Sequence, residues 1–235
     1  RRMGNSATKA TRNQMKFKDR HKHLMFGYAH KSERECGLKI PSEIIYILAM
    51  YFVETDEWDD TLKSADVAVN ERIIENVSKN TARNQFRSIC GKHVASKSGT
   101  YEWTLKIVKV DDSKTNNHWN IIVGIVKDKD ARSILQGYIG GCGVAGSSIG
   151  YIGGDGGVIG GVDLSGYNNK YGEDFKKEND EMTMTLDLDN LTISYHINGN
   201  QYPPIESATK NFHLNKRDQY RFVVSLCPGR QLELL

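Results

Sequence analysis

The sequence predicts an all-β protein, an antiparallel β-sandwich of two sheets, preceded by one α-helix and a basic arm. Three observations predict it. From about residue 56 onward, short runs of β-branched and aromatic residues are separated by turn residues, with no helical periodicity between them. Between residues 137 and 166 lie 13 of the 22 glycines, a density that breaks long elements and implies loops joining short strands. Apolar residues at helical spacing occur in one stretch, between Ile40 and Val53.

Along the chain, residues 1–37 read as a flexible arm: they lack periodicity and are rich in Lys, Arg, Asn and His. Residues 1–34 balance at +8, whereas the rest of the chain balances at −5, so the overall +3 hides an asymmetry. Such an arm can touch an acidic protein surface, nucleic acid or an anionic membrane. Were Met3 the initiator, Gly4 and Thr8 would fit an N-myristoylation pattern, and membrane association is expected only in that case. Residues 38–55 hold the helix, with Ile44, Ile47, Leu48, Tyr51 and Phe52 on one face. Pro41 suits its first turn and Glu43 complements its positive end. A helix this short needs its apolar face packed on a partner or on its own domain.

Residues 56–235 form the predicted β domain. Tyr101–Val108 mixes aromatic, β-branched and alternating polar residues. Asn120–Val126 is an unbroken Ile/Val run, as in a strand covered on both faces. The stretches 182–189 and 191–197 alternate and are joined by a tight Asp189–Asn190 turn; Arg221–Leu226 and Gln231–Leu234 close the chain.

Composition and motifs exclude several function classes. No apolar run approaches the roughly 20 residues that span a bilayer. Cys36, Cys90, Cys142 and Cys227 form no Cys-x-x-Cys pair, so neither a zinc site nor a disulfide framework is expected, and the chain reads as cytoplasmic, from a reducing intracellular compartment. Gly141-Cys142-Gly143-Val144-Ala145-Gly146 matches G-x-G-x-x-G with Asp163 downstream, but the residues after it cannot build the helix a dinucleotide site requires. No phosphate loop, nucleophile elbow or His-based metal motif is present. Asp187 and Asp189 share a strand face, yet they end a strand at a turn, where Asp is favoured for backbone reasons. The expectation is a non-enzyme with no catalytic residue, no metal, no cofactor and no small-molecule substrate.

The strand segments together resemble the SPRY domain, an interaction module on a bent, two-sheet, concanavalin A-like jelly roll. Ser98-Gly99-Thr100-Tyr101-Glu102-Trp103-Thr104-Leu105-Lys106-Ile107 resembles the family's S-G-x-Y-Y-W-E-V-K-I strand, with Glu and Trp exchanged in order. Val123-Gly124-Ile125-Val126-Lys127-Asp128 is similar to its V-G-V-x-x-x-D, and Ile149-Gly150-Tyr151 stands at its W-G-Y step. Leu186-Asp187-Leu188-Asp189-Asn190-Leu191-Thr192-Ile193-Ser194-Tyr195-His196-Ile197-Asn198-Gly199 resembles L-D-L-D-x-G-T-L-S-F-x-x-N-G. Val224-Ser225-Leu226-Cys227-Pro228-Gly229 resembles the closing V-S-L-G-P-G, and Trp58-Asp59 would mark the start.

The resemblance implies an intracellular adaptor or scaffold that binds a partner protein or peptide through loops at one end of the sandwich. It names Tyr138 of the Gly137-Tyr138 step, with Gly141, as one part of the surface. Cys227, Pro228 and Gly229 form a second part, and the stretch Asn80–Arg87, with Arg83 and Arg87, a third. Arg132 and Tyr151 are expected on or beside the same loops. The Arg-x-Pro-x-Ala residues of the family's ligase receptors are absent and Pro228 replaces their Trp, which implies a similar surface with a different peptide specificity. Trp103, Val123, Leu186, Leu188, Ile193 and Val224 are expected in the core. Residues 40–52 weakly resemble the first helix of an F-box. That leaves two alternatives open: a substrate receptor of a ubiquitin ligase, or a structural subunit docked in a large complex through its arm.

Overall fold

The computed structural model describes residues 57–79, 86–114, 119–135, 137–141, 146–160, 170–206 and 212–235, all within one compact unit, Asp56–Leu235. The arm, the amphipathic helix with its ligase-docking reading, Arg83, Cys36 and Cys142 lie outside the described residues.

Among the described residues, fourteen strands form two antiparallel sheets. The first has the order β1 (Trp58–Lys63), β4 (Arg87–Ser96), β13 (Gln219–Leu226), β6 (Ile121–Lys127), β7 (Ser148–Ile152), β8 (Val158–Ile159). The second runs β11 (Asn200–Gln201), β10 (Thr192–Ile197), β9 (Glu181–Asp187), β5 (Thr100–Val110), β14 (Arg230–Leu234), β3 (Ile73–Asn76), β2 (Val67–Asn70), with β12 (Ile205–Glu206) also on β10.

Period-two alternation sets the faces. In β9 and β10 the pairs Leu186–Ile193, Met184–Tyr195 and Met182–Ile197 are buried, while Thr183, Thr185, Ser194 and His196 point outward. The turn between them is built on Asp187, whose Oδ1 accepts the backbone N–H of Asp189 and of Asn190, each at 2.9 Å. The Asn190 N–H leads the interactions that hold the Asp187 carboxyl below its usual range. The Asp187 carboxylate therefore serves the turn.

β6 explains its own Ile/Val run. Ile121, Val123 and Ile125 face the core between the sheets, while Ile122 and Val126 face outward into a second apolar cluster. Ala131 and Ile134 of the short helix α1 (Ala131–Ile134), then Leu135 and Ile139, cover that outer face. The six residues expected in the core are all 3% exposed or less. β4 was not expected, because Gly91, Lys92 and His93 interrupt its alternation. It nevertheless lies between β1 and β13, and a Cβ on Gly91 would already stand 3.4 Å from the Phe222 ring.

Cys90 lies in the outer cluster with no exposed surface and is a free thiol. Burial pushes the Cys90 thiol up to about 12, so the reactive thiolate is scarce at neutral pH. The native chain is expected to leave Cys90 unalkylated by iodoacetamide at pH 8, read by peptide mass spectrometry. Labelling as fast as in the denatured chain would contradict this. No helix among the described residues is long and apolar enough to cross a membrane.

Candidate partner-binding surface

Two serines on neighbouring strands organise one end of the first sheet. Ser88 of β4 pairs with Ser225 of β13, and their Oγ atoms lie 2.7 Å apart on the buried outer face. Ser88 Oγ donates to the Gly137 carbonyl at 3.0 Å, and the Ile139 N–H donates to Ser225 Oγ at 3.2 Å. A buried hydroxyl without a partner is costly, so this pair ties the 137–139 backbone to the sheet. Tyr138 sits between the two anchored residues.

The Tyr138 ring packs 5.4 Å from Phe86 and edge-on to Trp119 at 6.2 Å. Phe86 is buried, whereas Tyr138 and Trp119 are half-exposed. The Gly141 N–H donates to the Tyr138 carbonyl at 3.0 Å, and a Cβ on Gly141 would stand 3.1 Å from Tyr138 Cζ. Glycine is thus what lets the ring lie back on its own loop. The Tyr138 hydroxyl has no hydrogen-bond partner among the described residues. The result is an aromatic surface with a polar tip, held on a fixed backbone.

No family model matches the sequence, and no curated protein matches it. Among solved structures, it is similar to the SPRY domain of human HERC1, at 18% identity and a TM-score of 0.51, over 75% of this chain and 96% of that one. It is also similar to the TRIM65 PSpry domain, at 14% identity and a TM-score of 0.51, over 77% and 92%. The chain has the SPRY fold. The resemblance read from the strand motifs is thus borne out at the level of fold.

On this SPRY sandwich the expected site residues separate. Tyr138 and Gly141 come together with Phe86, and Arg87 follows Phe86 directly. Arg87 Nε, however, is engaged by Asp66 Oδ2 at 2.7 Å, which ties that guanidinium to the loop before β2. Arg132 is exposed on α1. Tyr151 is a correction: it is wholly buried, not at a loop surface. Its place on β7 shares the inward face with Ile149, its ring lies 5.2 Å from Tyr195, and its hydroxyl donates to the Glu173 carbonyl. Burial raises its pKa, as it does that of Tyr195.

Cys227, Pro228 and Gly229 are also corrected, since all three are buried. Their turn carries the chain from one sheet to the other and packs backbone to backbone. The Asp111 N–H donates to the Gly229 carbonyl at 2.9 Å, and a Cβ on Gly229 would stand 2.6 Å from the Asp111 carbonyl oxygen. The Cys227 N–H donates to the Asn120 carbonyl, and the buried Arg230 guanidinium reaches Asn120 Oδ1 at 3.0 Å and the Asp112 carboxylate. The turn is thus built into the sandwich, and Cys227 belongs to the outer apolar cluster against which Trp119 packs. Trp119 was missed by sequence reasoning; its only signal was an aromatic residue abutting the Ile/Val run.

Among the described residues, no group of three or more His, Cys, Asp or Glu could hold a metal ion. The G-x-G-x-x-G match leads into strand β7, where a dinucleotide site needs a helix.

Proposed function

We propose that this chain is a non-catalytic protein-interaction module, an adaptor or scaffold that holds a peptide or surface segment of a partner protein against Tyr138 and Trp119. The observation that carries this reading is Tyr138 itself. It is half-exposed, its hydroxyl is free among the described residues, and its backbone is clamped by Ser88 and Ser225. Tyrosine and tryptophan give binding hot spots because they offer area, rigidity and a polar tip at low entropic cost. A clamped backbone removes part of the ordering cost of association.

Tyr138→Ala is expected to weaken the principal partner of the full chain by about 2 kcal/mol or more, roughly thirtyfold, with thermal stability nearly unchanged. Quantitative cross-linking from native extract, followed by titration of the recovered partner, reads this. Retention of every partner at wild-type affinity by both Tyr138→Ala and Trp119→Ala would sink the reading.

A further inference from the structure

At the opposite end of the first sheet, three turns enclose a cleft of about 340 Å³. Ser96 ends β4 and Lys97 follows it, Lys127 ends β6 and Asp128 and Lys129 follow it, and Lys216, Arg217 and Asp218 lead into β13 at Gln219. Strand register brings them together: Gln219 pairs with Ser96, and Tyr220 with Lys127. The cleft lies the length of β6, about 20 Å, from Trp119.

Its charge is unusual for this body. Five lining residues are cationic and two are acidic, and both acids are neutralised within the fold. Lys127 Nζ lies 2.8 Å from the Asp218 carboxylate. Asp128 is held by Arg221, which also reaches Asp59 at 3.2 Å. Lys97, Lys129, Lys216 and Arg217 remain exposed and form no ion pair among the described residues. Lys216 does lie near enough to Asp187 to help lower that carboxyl. Lys97 adopts a φ of +70°, a conformation that favours Gly or Asn over a long side chain. Four cations thus converge on one cleft while residues 35–235 as a whole balance at −5.

We propose that this cleft docks an acidic segment of a partner protein, with single carboxylate side chains on Lys97, Lys129, Lys216 and Arg217. The cleft is lined by no aromatic ring on which a base could stack, and its cations are interrupted by the ion-paired Asp128 and Asp218, so it offers no continuous positive track for a phosphate backbone. A peptide can place its carboxylates on the cations and neutral residues beside the two acids. An acidic segment has the complementary charge, which residues 1–34, balancing at +8, do not.

The test is fluorescence anisotropy with the full chain and a labelled eight-residue peptide of alternating Glu and Gly. A Gln/Gly peptide is the neutral control. The Glu peptide is expected to bind at least about tenfold tighter than the control, and Lys129→Glu/Arg217→Glu to lose about tenfold in affinity. The single variant Lys97→Glu, on the facing turn, is expected to move in the same direction. The control reversal Lys109→Glu, exposed on β5, is expected to leave affinity within about twofold, since distant exposed charges are screened. Equal binding of the two peptides would overturn the proposal. So would wild-type affinity in both cleft variants, which would place the peptide on the arm, or an equal loss in the β5 variant. Displacement of the peptide by a short single-stranded RNA whose own binding needs Lys129 and Arg217 would overturn it in favour of nucleic acid.

Discussion

Trp103→Ala is expected to lower the stability of the chain by about 3–5 kcal/mol, the cost of truncating a large buried aromatic. Trp103 is 3% exposed and lies where the two sheets meet. Its ring stacks on Phe222 of β13 at 5.3 Å with an interplanar angle of 6°. Phe222 stacks in turn on Trp58 at 5.8 Å, and Tyr101 flanks Trp103 at 6.2 Å. One column of four rings therefore joins β1 and β13 of the first sheet to β5 of the second. Removing one of its two inner members opens a cavity that the sheet backbones cannot close, because each is held by its own ladder. The check is urea unfolding followed by fluorescence and circular dichroism: the midpoint should fall with the slope unchanged. Trp103→Phe, which keeps a ring in the column, should recover a large part of the loss. A midpoint shift in Trp103→Ala worth less than about 1 kcal/mol would show that the stack is not what couples the sheets.

Much of this fold is legible in the chain because alternation and turn chemistry are local signals. Thr185–Gly199 announces two strands and their turn through period-two alternation and Asp187. The Ile121–Val126 run announces a strand covered on both sides. β4 is illegible for a physical reason: Gly91, where a Cβ would only just touch the Phe222 ring at 3.4 Å, and Lys92 and His93 break the pattern that a propensity reading needs. The site is legible in part. The Gly137-Tyr138 step marks the aromatic centre, but its clamp depends on Ser88 and Ser225, which are distant in sequence and unremarkable within it. Tyr151 shows the converse limit: alternation tells which residues share a face, and all five residues of β7 are buried, so exposure could not be read from pattern alone. The basic cleft was invisible for the same reason as the clamp. Lys97, Lys129, Lys216 and Arg217 belong to three separate turns that only strand register brings together.

Gly124→Ala is expected to cost about 3 kcal/mol or more, although it adds a single methyl group in the middle of β6. Gly124 pairs with Gly150 of β7, and the two strands approach so closely there that a Cβ on Gly124 would stand 2.0 Å from the Ile149 carbonyl oxygen and 2.6 Å from the Gly150 Cα. Those are backbone atoms, so no side-chain rotation relieves the overlap. Gly150 cannot yield outward either, since the space beside it is filled by Ile139 and Ile122. The strain would pass through Ile139, whose N–H is bound to Ser225 Oγ, to the backbone that presents Tyr138. The variant should therefore show two effects together: a fall in thermal midpoint of about 6 °C or more, and a loss of partner affinity at temperatures where the chain is still folded. Gly99→Ala is the matched control, because nothing lies within 4 Å of a Cβ there and only its φ of +98° is penalised. A Gly124→Ala variant as stable as Gly99→Ala would mean that β6 and β7 separate easily. The Tyr138 surface would then not be held by the sheet beneath it.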